Sequence, residues 1–544
     1  MAEPWVVPAS YGQERVWLAS QVAHDVPLFH IVDRIPIAGP LPAEQVIAAL
    51  AEVVGRHETL RTSFRVDDGQ LMQLVHASVP VEVGQADLAD LPADEQDKQA
   101  AGMLDALARS ELPLDRPPLW RARLVHRGEG RWWLLFLAHH TIVDAASELN
   151  LHAEVTEICA AAAGGRRARL PELPVQYADY SVWQRERLSG ATLDRMLGYW
   201  REALADLPVV HALPTDRPRP VQRTFAGDEL LFPLPAELTY PLPGLVTRTS
   251  ASPFMVLLAA YAALLRRLTG QDDVVVGVPV SGRDRPELQP LIGMFVNMVV
   301  VRVDTGGDPT FLELVDRVRH RVLAAWEHQE MPFQKLVEAL AGARDPRVPP
   351  LYQLGFNHLP VGSGTTFGAA EDDLMLEIAQ REGRLEYSSD LFDATTARSI
   401  VDNYLSVLAA ALGSPELRLS ELPLVSQPAG AVHRPETVTA GDGFVPARTA
   451  AEELVAEIWA DVLRRDRIGA YDDFFALGGH SLLALRAIAR LGATGVQLPI
   501  QAFFADTTVA GVAAQVERLL AEQIAELPED EVERQLADGA PEDL

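Results

Sequence analysis

The chain has 544 residues, 48% hydrophobic and 23% charged, which is typical of globular proteins and long enough for three or four units of about 150 residues. Its net charge of -29 repels phosphate backbones and anionic lipid surfaces, so we expect neither nucleic acid nor a membrane as a partner. The one cysteine, Cys159, excludes an internal disulfide and a cysteine-based metal site. We therefore predict a metal-free protein of a reducing compartment, the cytoplasm.

The N-terminal segment lacks the basic and apolar regions of a secretory signal. The longest apolar run, Phe254 to Leu265, is followed by Arg266 and Arg267 and is too short to cross a bilayer. We expect no membrane span.

Strand and helix patterns alternate along most of the chain. RWWLLFLA (131–138) predicts a buried strand, the pattern around Leu193 to Leu207 a helix, Phe254 to Leu268 a second helix, and DDVVVGVPV (272–280) another strand. The Pro-rich stretch 213–227 indicates two lobes, and apolar periodicity stops over 425–446. We predict an α/β fold with lobes at 1–185 and 186–428, a linker at 429–446, a small unit at 447–523 and an acidic tail at 524–544.

The small unit has helical patterns that begin at a capping box, Thr449 to Glu452, and end near Leu520. Gly478 and Gly479 precede Ser481, which we place exposed at the start of a helix. Unpaired N–H groups and the helix dipole favour a phosphate there, although a simple N-cap would also use a serine. The acidic tail is either a solvated segment or a helix that docks a partner.

His139 and His140 directly follow the predicted strand 131–138, and Asp144 lies four residues on from His140. Side chains alternate on a strand, so at most one histidine faces a given cleft, where a neutral imidazole can act as a base. The other would support it. A purely structural role for the pair is the alternative, since HxxxD alone is a weak signal.

The string DDFFALGGHSLLALR (472–486) closely resembles the attachment motif of peptidyl carrier domains of nonribosomal peptide synthetases. The resemblance implies a small four-helix bundle over about residues 447–522, with 4′-phosphopantetheine covalently attached to Ser481. It also implies that His480 and Leu482 serve recognition by the phosphopantetheinyl transferase and partner domains.

Residues 1–425 resemble the condensation domains of the same synthetases, because seven motifs occur in the family's order. They are SYGQERVW (10–17), RHETLRTSF (56–64), HHTIVDA (139–145), YADYSVW (177–183), IGMFVN (292–297), HQEMPF (328–333) and a weaker match that opens with RD (344–345). The resemblance implies two chloramphenicol-acetyltransferase-like lobes that form a V, with a tunnel in which two pantetheine arms meet at the histidine motif.

By that resemblance His140 is the residue tied to catalysis, as a base or as a group that orients the nucleophile, with His139 beside it. Asp144 is implied to be structural, paired with Arg283 of the other lobe. Ala145 departs from the family's usual glycine and adds a methyl group where the acceptor arm passes the backbone. The stretch 370–393 also lacks the family's usual sequence before Leu391-Phe392-Asp393.

The expected function is condensation of a carrier-bound acyl or peptidyl donor with an amine or hydroxyl acceptor. No adenylation domain fits between the two units, so we expect an adenylation domain in trans, an upstream donor carrier protein, and a downstream release or tailoring enzyme. Two alternatives remain. An epimerisation domain shares the histidine motif, but the domain order and Gln13, Arg15 and Trp17 oppose it. The second alternative is a catalytically silent platform that recruits modifying enzymes. The intact histidine pair opposes this alternative, whereas Ala145 leaves it open.

Overall fold

The computed structural model describes residues 3–23, 26–220, 222–340, 345, 347–359, 368–426, 444–479 and 481–526. The chain divides into two compact units: a large unit, which holds most of residues 1–435, and a small unit, which holds residues 436–544.

The strands are β1 (Trp5–Pro8), β2 (His30–Ile37), β3 (Thr62–Asp67), β4 (Gln70–Val75), β5 (Val83–Asp87), β6 (Trp120–His126), β7 (Trp132–His139), β8 (Gly227–Pro233), β9 (Asp273–Val280), β10 (Asn297–Asp304), β11 (Leu354–His358), β12 (Leu374–Ile378) and β13 (Glu382–Ser388).

The helices are α1 (Tyr11–Val22), α2 (Ala43–Arg56), α3 (Ala93–Ala108), α4 (Ala145–Ala163), α5 (Tyr177–Arg187), α6 (Gly190–Ala203), α7 (Ala236–Thr239), α8 (Leu242–Thr249), α9 (Pro253–Thr269), α10 (Phe311–Glu327), α11 (Phe333–Leu340), α12 (Ala394–Gly413), α13 (Ala450–Leu463), α14 (Ser481–Ala493), α15 (Ile500–Ala505) and α16 (Val509–Glu526). Short 3-10 turns lie at Glu58–Arg61, Pro286–Leu288 and Leu419–Glu421.

The first lobe is built on a four-stranded sheet in the order β2-β7-β6-β5, in which β5 and β6 pair parallel and the other neighbours antiparallel. Every residue of β7 from Trp133 to His139 is buried, so both faces of this strand are covered. That explains the continuous apolar run from which the strand was predicted. The strand is one residue later than predicted, and His139 is its last residue.

The second lobe is built on a six-stranded sheet in the order β10-β9-β11-β12-β13-β8. Helix α9 is buried without a break from Met255 to Leu265. It begins at Ser252, whose side chain caps the first turn, and ends before Gly270, whose φ of 70° suits glycine. The predicted helix 254–268 and strand 272–280 are thus confirmed to within one residue at each end.

The predicted lobe boundary at 185/186 falls inside helix α5, which continues to Arg187. Trp200 of the next helix, α6, lies in the core of the second lobe. We therefore place the boundary at 188–189, between α5 and α6.

The small unit packs α13 to α16 around a core that includes Trp459, Phe474 and Phe503. Thr449 caps α13 by accepting a hydrogen bond from the Glu452 N–H, but the predicted capping box is wrong in its second half. The Glu452 carboxylate accepts from the N–H of Arg448, one residue earlier, as well as from the Arg448 guanidinium. The last helix runs to Glu526, beyond the predicted end of the unit at 523.

Some predictions concern residues that the structure does not describe: most of the linker 429–446, the tail beyond 526, His480, and Arg344 of the seventh motif. Among the described helices, none by itself has the length and apolar composition to cross a membrane; α7–α8 (Ala236–Thr249) and α9 meet both criteria as a pair bent by 103°.

Leu258→Ala tests the contribution of the second-lobe core. Leu258 of α9 is 0% exposed, so we expect the substitution to lower the free energy of unfolding by about 2–5 kcal/mol, through lost burial and the cavity left behind. Denaturant unfolding measures this change. Leu231→Ala is the control, because Leu231 is 64% exposed; an equal loss in both variants would contradict the packing described here.

Candidate functional site

The histidine motif lies in the turn between the end of β7 at His139 and the start of α4 at Ala145. The two histidines differ in burial as the alternation of a strand predicts: His139 is 4% exposed, whereas His140 is half-buried. The backbone N–H of His140 donates to the carbonyl of Phe29, 2.8 Å away, and thereby fixes the turn to the first lobe.

The Nδ1 atom of His139 is an acceptor. It lies 3.2 Å from the Thr141 backbone N–H and 2.9 Å from the Thr141 hydroxyl, and a backbone N–H can only donate. The proton of the neutral ring therefore sits on Nε2. Burial, together with the nearby His30 and His140, lowers the pKa of His139 well below its usual value, so His139 is a neutral side chain.

His140 has the opposite tautomer. Its Nδ1 lies 2.6 Å from the carbonyl oxygen of Val143, which can only accept, so Nδ1 carries the proton and Nε2 keeps its lone pair. Burial lowers the pKa of His140 below 6.5 against the opposing effect of the Val143 hydrogen bond, and the positive charge of Arg15 lowers it further. Asp144 and Glu371 act in the other direction. His140 is therefore neutral near pH 7, with a basic nitrogen available.

Asp144 is fully buried and accepts four hydrogen bonds. Its Oδ1 accepts from the backbone N–H of Ser147 (2.8 Å), the Ser147 hydroxyl (2.7 Å) and Nη2 of Arg283 (2.9 Å). Its Oδ2 accepts from the backbone N–H of Phe295, 2.9 Å away. The carboxylate is thus the N-cap of α4 and a link between the lobes, and it is fully occupied by these donors.

Arg283 is as buried as its partner, at 3% exposed. Its Nη1 donates to the carbonyls of Leu288 (2.7 Å) and Leu291 (2.8 Å), and its guanidinium lies 4.1 Å from the centre of the Phe295 ring. The pairing with Asp144 implied by the resemblance is present. The guanidinium also fixes the backbone of the second lobe that faces the histidine motif.

Ser147 is a residue of the site that the sequence reasoning missed. Its hydroxyl lies within 2.9 Å of Asp144, Arg283 and the backbone of Gly293. A serine three residues after a helix-capping aspartate is a recognisable signal, because the cap bonds the N–H of that residue. The contact to Gly293, 146 positions away, has no local signal.

Four of the other motif segments, the first, second, fourth and fifth, converge on the same place. Four hydrogen bonds hold them together: Gln13 Nε2 to Thr141 O (3.2 Å), Ser10 Oγ to Tyr177 Oη (2.7 Å), Tyr177 Oη to Met294 O (2.5 Å) and Thr59 Oγ1 to Ile292 O (2.8 Å). Motifs spread over almost 300 residues therefore form one buried polar network around His139–Asp144.

A second ion pair joins the lobes close to His140. Arg15 of α1 donates through Nη1 to Glu371, at 2.7 Å, and the two side chains are 11% and 38% exposed. Both charges influence the pKa of His140. Arg15 belongs to the first motif, whereas no signal in the sequence pointed to Glu371.

The two remaining predicted positions lie at helix starts. Ala145 is the first residue of α4 and is exposed. Ser481 is the first residue of α14, a helix of 13 residues. Gly478, just before it, has a φ of 92°, and a Cβ on Gly479 would lie 2.3 Å from the Phe474 ring, so the turn into α14 requires both glycines.

Comparison with known proteins identifies both units. Residues 5–430 match the family model of the condensation domain, and residues 453–516 match that of the phosphopantetheine attachment site. The chain belongs to the condensation-domain family. Its condensation domain is followed by a carrier domain that contains a phosphopantetheine attachment site. The α/β fold with two lobes and a helical carrier domain is confirmed.

The chain is similar to two peptide synthetases and to one domain of known structure. A linear gramicidin synthase protein of Brevibacillus parabrevis is 36% identical over 77% of this chain, and phosphinothricin tripeptide synthetase PhsB of Streptomyces viridochromogenes is 36% identical over 77%. The chain spans 8% and 37% of their lengths. The crystal structure of the X-domain from teicoplanin biosynthesis superposes with a TM-score of 0.69 at 28% identity, covering 78% of this chain and 99% of that one.

Asp144→Asn tests the buried ion pair. The substitution keeps the shape but leaves the Arg283 charge unpaired in the interior, so we expect the free energy of unfolding to fall by about 3–5 kcal/mol. Denaturant unfolding measures it. Asp97→Asn is the matched control: Asp97 pairs with Arg34 on the surface, with exposures of 57% and 44%, and removal should cost less than about 1 kcal/mol. Equal losses would show that the Asp144 pair does not support the fold.

Proposed function

We propose that the chain transfers an acyl or peptidyl group from a carrier-bound thioester to an amine or hydroxyl nucleophile in nonribosomal peptide biosynthesis. The single observation that carries the proposal is the tautomer of His140, since Nε2 keeps a free lone pair in a ring held neutral and oriented by the Val143 carbonyl. The family membership of both units supports it.

In the proposed reaction with an amine, a C–N bond forms and the C–S bond of the donor thioester breaks. His140 accepts the amine proton at Nε2 and returns it to the departing thiolate, so it ends the cycle neutral. His139 keeps the strand end buried, while Asp144 and Arg283 act as positioning residues. We place the acceptor arm so that it passes Ala145, which is exposed at the start of α4.

We propose Ser481 as the attachment residue of the carrier domain. A serine hydroxyl is the group that can form a phosphodiester, and the first residue of α14 lies where free backbone N–H groups stabilise a phosphate. When bound, 4′-phosphopantetheine supplies the thiol on which the substrate is held as a thioester. The glycines at 478 and 479 allow the backbone turn that precedes Ser481.

The proposal requires protein partners. A phosphopantetheinyl transferase would modify Ser481, an adenylation domain would charge the carrier, an upstream carrier protein would deliver the donor, and a release or tailoring enzyme would take the product. We place the reaction in the cytoplasm, in keeping with the free, buried thiol of Cys159. The acidic tail is proposed as a docking segment for the downstream partner.

The two alternatives have less support. The order of a condensation-type unit before the carrier domain opposes an epimerisation domain. A catalytically silent platform would not require different tautomers of His139 and His140. The free lone pair on Nε2 of His140 therefore favours the transferase.

The acid limb of the pH–rate profile tests His140. Because neutral His140 is the active form and its pKa lies below 6.5, we expect the rate to fall only as the pH drops through that lowered pKa. Arg15→Gln removes a positive charge and should move the midpoint to higher pH. The substrate amine titrates equally in both proteins, so the difference reports on His140.

The exposed Arg34 provides the control, since Arg34→Gln should leave the midpoint in place. An unchanged or lower midpoint in Arg15→Gln would contradict the role assigned to His140, as would full turnover in His140→Ala.

Intact-mass measurement tests Ser481. The full chain incubated with coenzyme A and a phosphopantetheinyl transferase should gain one phosphopantetheine group, and Ser481→Ala should gain none. Modification of the alanine variant would move the attachment site elsewhere, whereas failure of the wild-type chain would remove the carrier role. Substitution of Ser420, which is bonded to Asp308 in the large unit, is the control and should leave the mass gain intact.

A further inference from the structure

His57 belongs to the second motif and connects parts of the large unit that are far apart in the sequence. It directly follows helix α2 and is 1% exposed. Its Nε2 atom lies 3.2 Å from Oε2 of Glu154 on α4, and its Nδ1 atom lies 3.3 Å from the backbone nitrogen of Ile292 in the second lobe. No step of the proposed reaction uses this side chain, so its contacts require another explanation.

The two contacts of His57 fix its tautomer. The Ile292 N–H can only donate, so Nδ1 is the acceptor and carries a lone pair. The ring proton is then on Nε2, which donates it to the Glu154 carboxylate. A carboxylate that accepts from one ring nitrogen orients the imidazole and leaves the other nitrogen free to accept. His57 therefore presents its lone pair to the second lobe.

Glu154 is held in turn by the residue before His57. Arg56 donates through Nε to Oε2 of Glu154, at 3.0 Å, and through Nη2 to Oε1, at 3.1 Å. Glu154 is 4% exposed, and a two-point contact with a guanidinium fixes the plane of a carboxylate. The end of α2 thus holds both the His57 ring and the carboxylate that orients it, and it ties them to α4.

The second-lobe partner of His57 is a stretch of irregular backbone, residues 291–295, which we call the junction segment. His57 accepts from the Ile292 N–H. Other first-lobe side chains bond the main chain of the segment: Asn150 at the Leu291 carbonyl, Thr59 at the Ile292 carbonyl, Ser147 at the Gly293 N–H, Tyr177 at the Met294 carbonyl and Asp144 at the Phe295 N–H. The segment therefore belongs to the second lobe by sequence and is held by the first lobe.

Three of the α4 side chains in this contact lie on one face of the helix. Ser147, Asn150 and Glu154 are spaced by three and four residues, the spacing of neighbours along a helix face. Ser147 and Asn150 bond the junction segment directly, whereas Glu154 reaches it through His57. Ser147 and Glu154 are two turns, about 10 Å, apart. Attachment at both positions fixes the direction of the helix axis, which a single contact would not.

The orientation of α4 matters for the reaction because the His140 turn leads into this helix. Asp144 caps α4 and accepts from the Phe295 N–H of the junction segment. The carbonyl of Val143, the residue before it, accepts from Nδ1 of His140. Ile292 and Phe295 belong to the same short segment, so a shift at Ile292 is passed to Asp144 and from there to the imidazole.

We infer that His57 is a positioning residue of the proposed transfer reaction. Its Nδ1 lone pair holds the junction segment, and through that segment the His140 turn, in the reactive arrangement. The inference rests on the proposed transferase function and adds to it a residue that touches no reacting atom. Misplacement of a catalytic group by about 1 Å can lower a rate by about 100-fold. Loss of the contact to Ile292 should therefore lower kcat rather than raise KM.

Two replacements of similar shape separate the two contacts of His57. The side-chain oxygen of asparagine can accept from Ile292 in place of Nδ1, whereas the amide nitrogen of glutamine can donate to Glu154 in place of Nε2. We expect His57→Gln to lower kcat by about tenfold or more, with KM for the donor carrier little changed. His57→Asn should recover most of that loss. Transfer from a donor carrier to the acceptor on Ser481 of the full chain, followed by mass, measures both constants.

Gln96→Leu is the matched control for the loss of a buried hydrogen-bonding side chain. Gln96 is 6% exposed, and its side chain bonds Leu88, Leu91 and Arg127 of the first lobe. The substitution should lower the melting temperature and leave kcat unchanged. If His57→Gln does not fold, Thr59→Val takes its place, because Thr59 makes the other bond to Ile292; it should lower kcat in the same way.

Three outcomes would overturn the inference. One is a wild-type kcat in His57→Gln, or in Thr59→Val where that variant is used. Another is an equal loss of kcat in His57→Asn and His57→Gln. The third is a kcat that follows the melting temperature in all variants, Gln96→Leu included, since that would make His57 a contributor to stability alone.

Hydrogen exchange tests the contact without catalysis. In His57→Gln, peptides that cover residues 289–296 and 140–148 should both exchange faster than in the wild-type chain, whereas His57→Asn should leave both unchanged. Faster exchange in 289–296 alone, or in neither peptide, overturns the inference. If the wild-type chain gives no product with any substrate pair, the transferase proposal fails, and this comparison still decides whether His57 holds the His140 turn.

Discussion

The site depends on one buried carboxylate. Asp144 accepts from the first turn of its own helix, from Arg283 and from the backbone of Phe295, so one side chain fixes the start of α4 and two segments of the other lobe. His140 lies four residues before it and gains its orientation from the same turn, through the Val143 carbonyl. The orientation of His140 is thus set by the same turn that joins the two lobes.

The neighbouring histidines show how backbone contacts divide identical side chains between two tasks. His139 accepts a hydrogen bond at Nδ1, whereas His140 donates at Nδ1 and keeps the lone pair on its other nitrogen. A carbonyl can only accept a hydrogen bond and an N–H can only donate one, so the backbone partner of each Nδ1 atom fixes the tautomer of its ring. Burial then keeps both rings neutral.

Much of the fold followed from local patterns. The apolar run of β7 and the serine-proline start of α9 determine these elements through burial and capping, which act over a few residues. The motif strings led to both domains and to the candidate residues His140, Asp144, Arg283 and Ser481 through resemblance. What the sequence could not supply were contacts between distant positions: the pairing of Arg15 with Glu371, 356 residues apart, and the bridge from Ser147 to Gly293. The prediction of a capping box at Thr449 was wrong for a related reason. Two neighbouring backbone N–H groups lie within reach of the Glu452 carboxylate, and it accepts from that of Arg448 instead of that of Thr449.

The two charged links between the lobes differ in their contact with solvent. The link through Arg283 and Asp144 is 2% and 0% exposed, whereas that through Arg15 and Glu371 is 11% and 38% exposed. Dissolved ions screen exposed charges far more than buried ones. The first link is therefore screened little by salt, while the second, close to His140, weakens as salt is added. The two lobes are therefore joined by one buried ion pair that responds little to salt and by one partly exposed ion pair that responds more strongly.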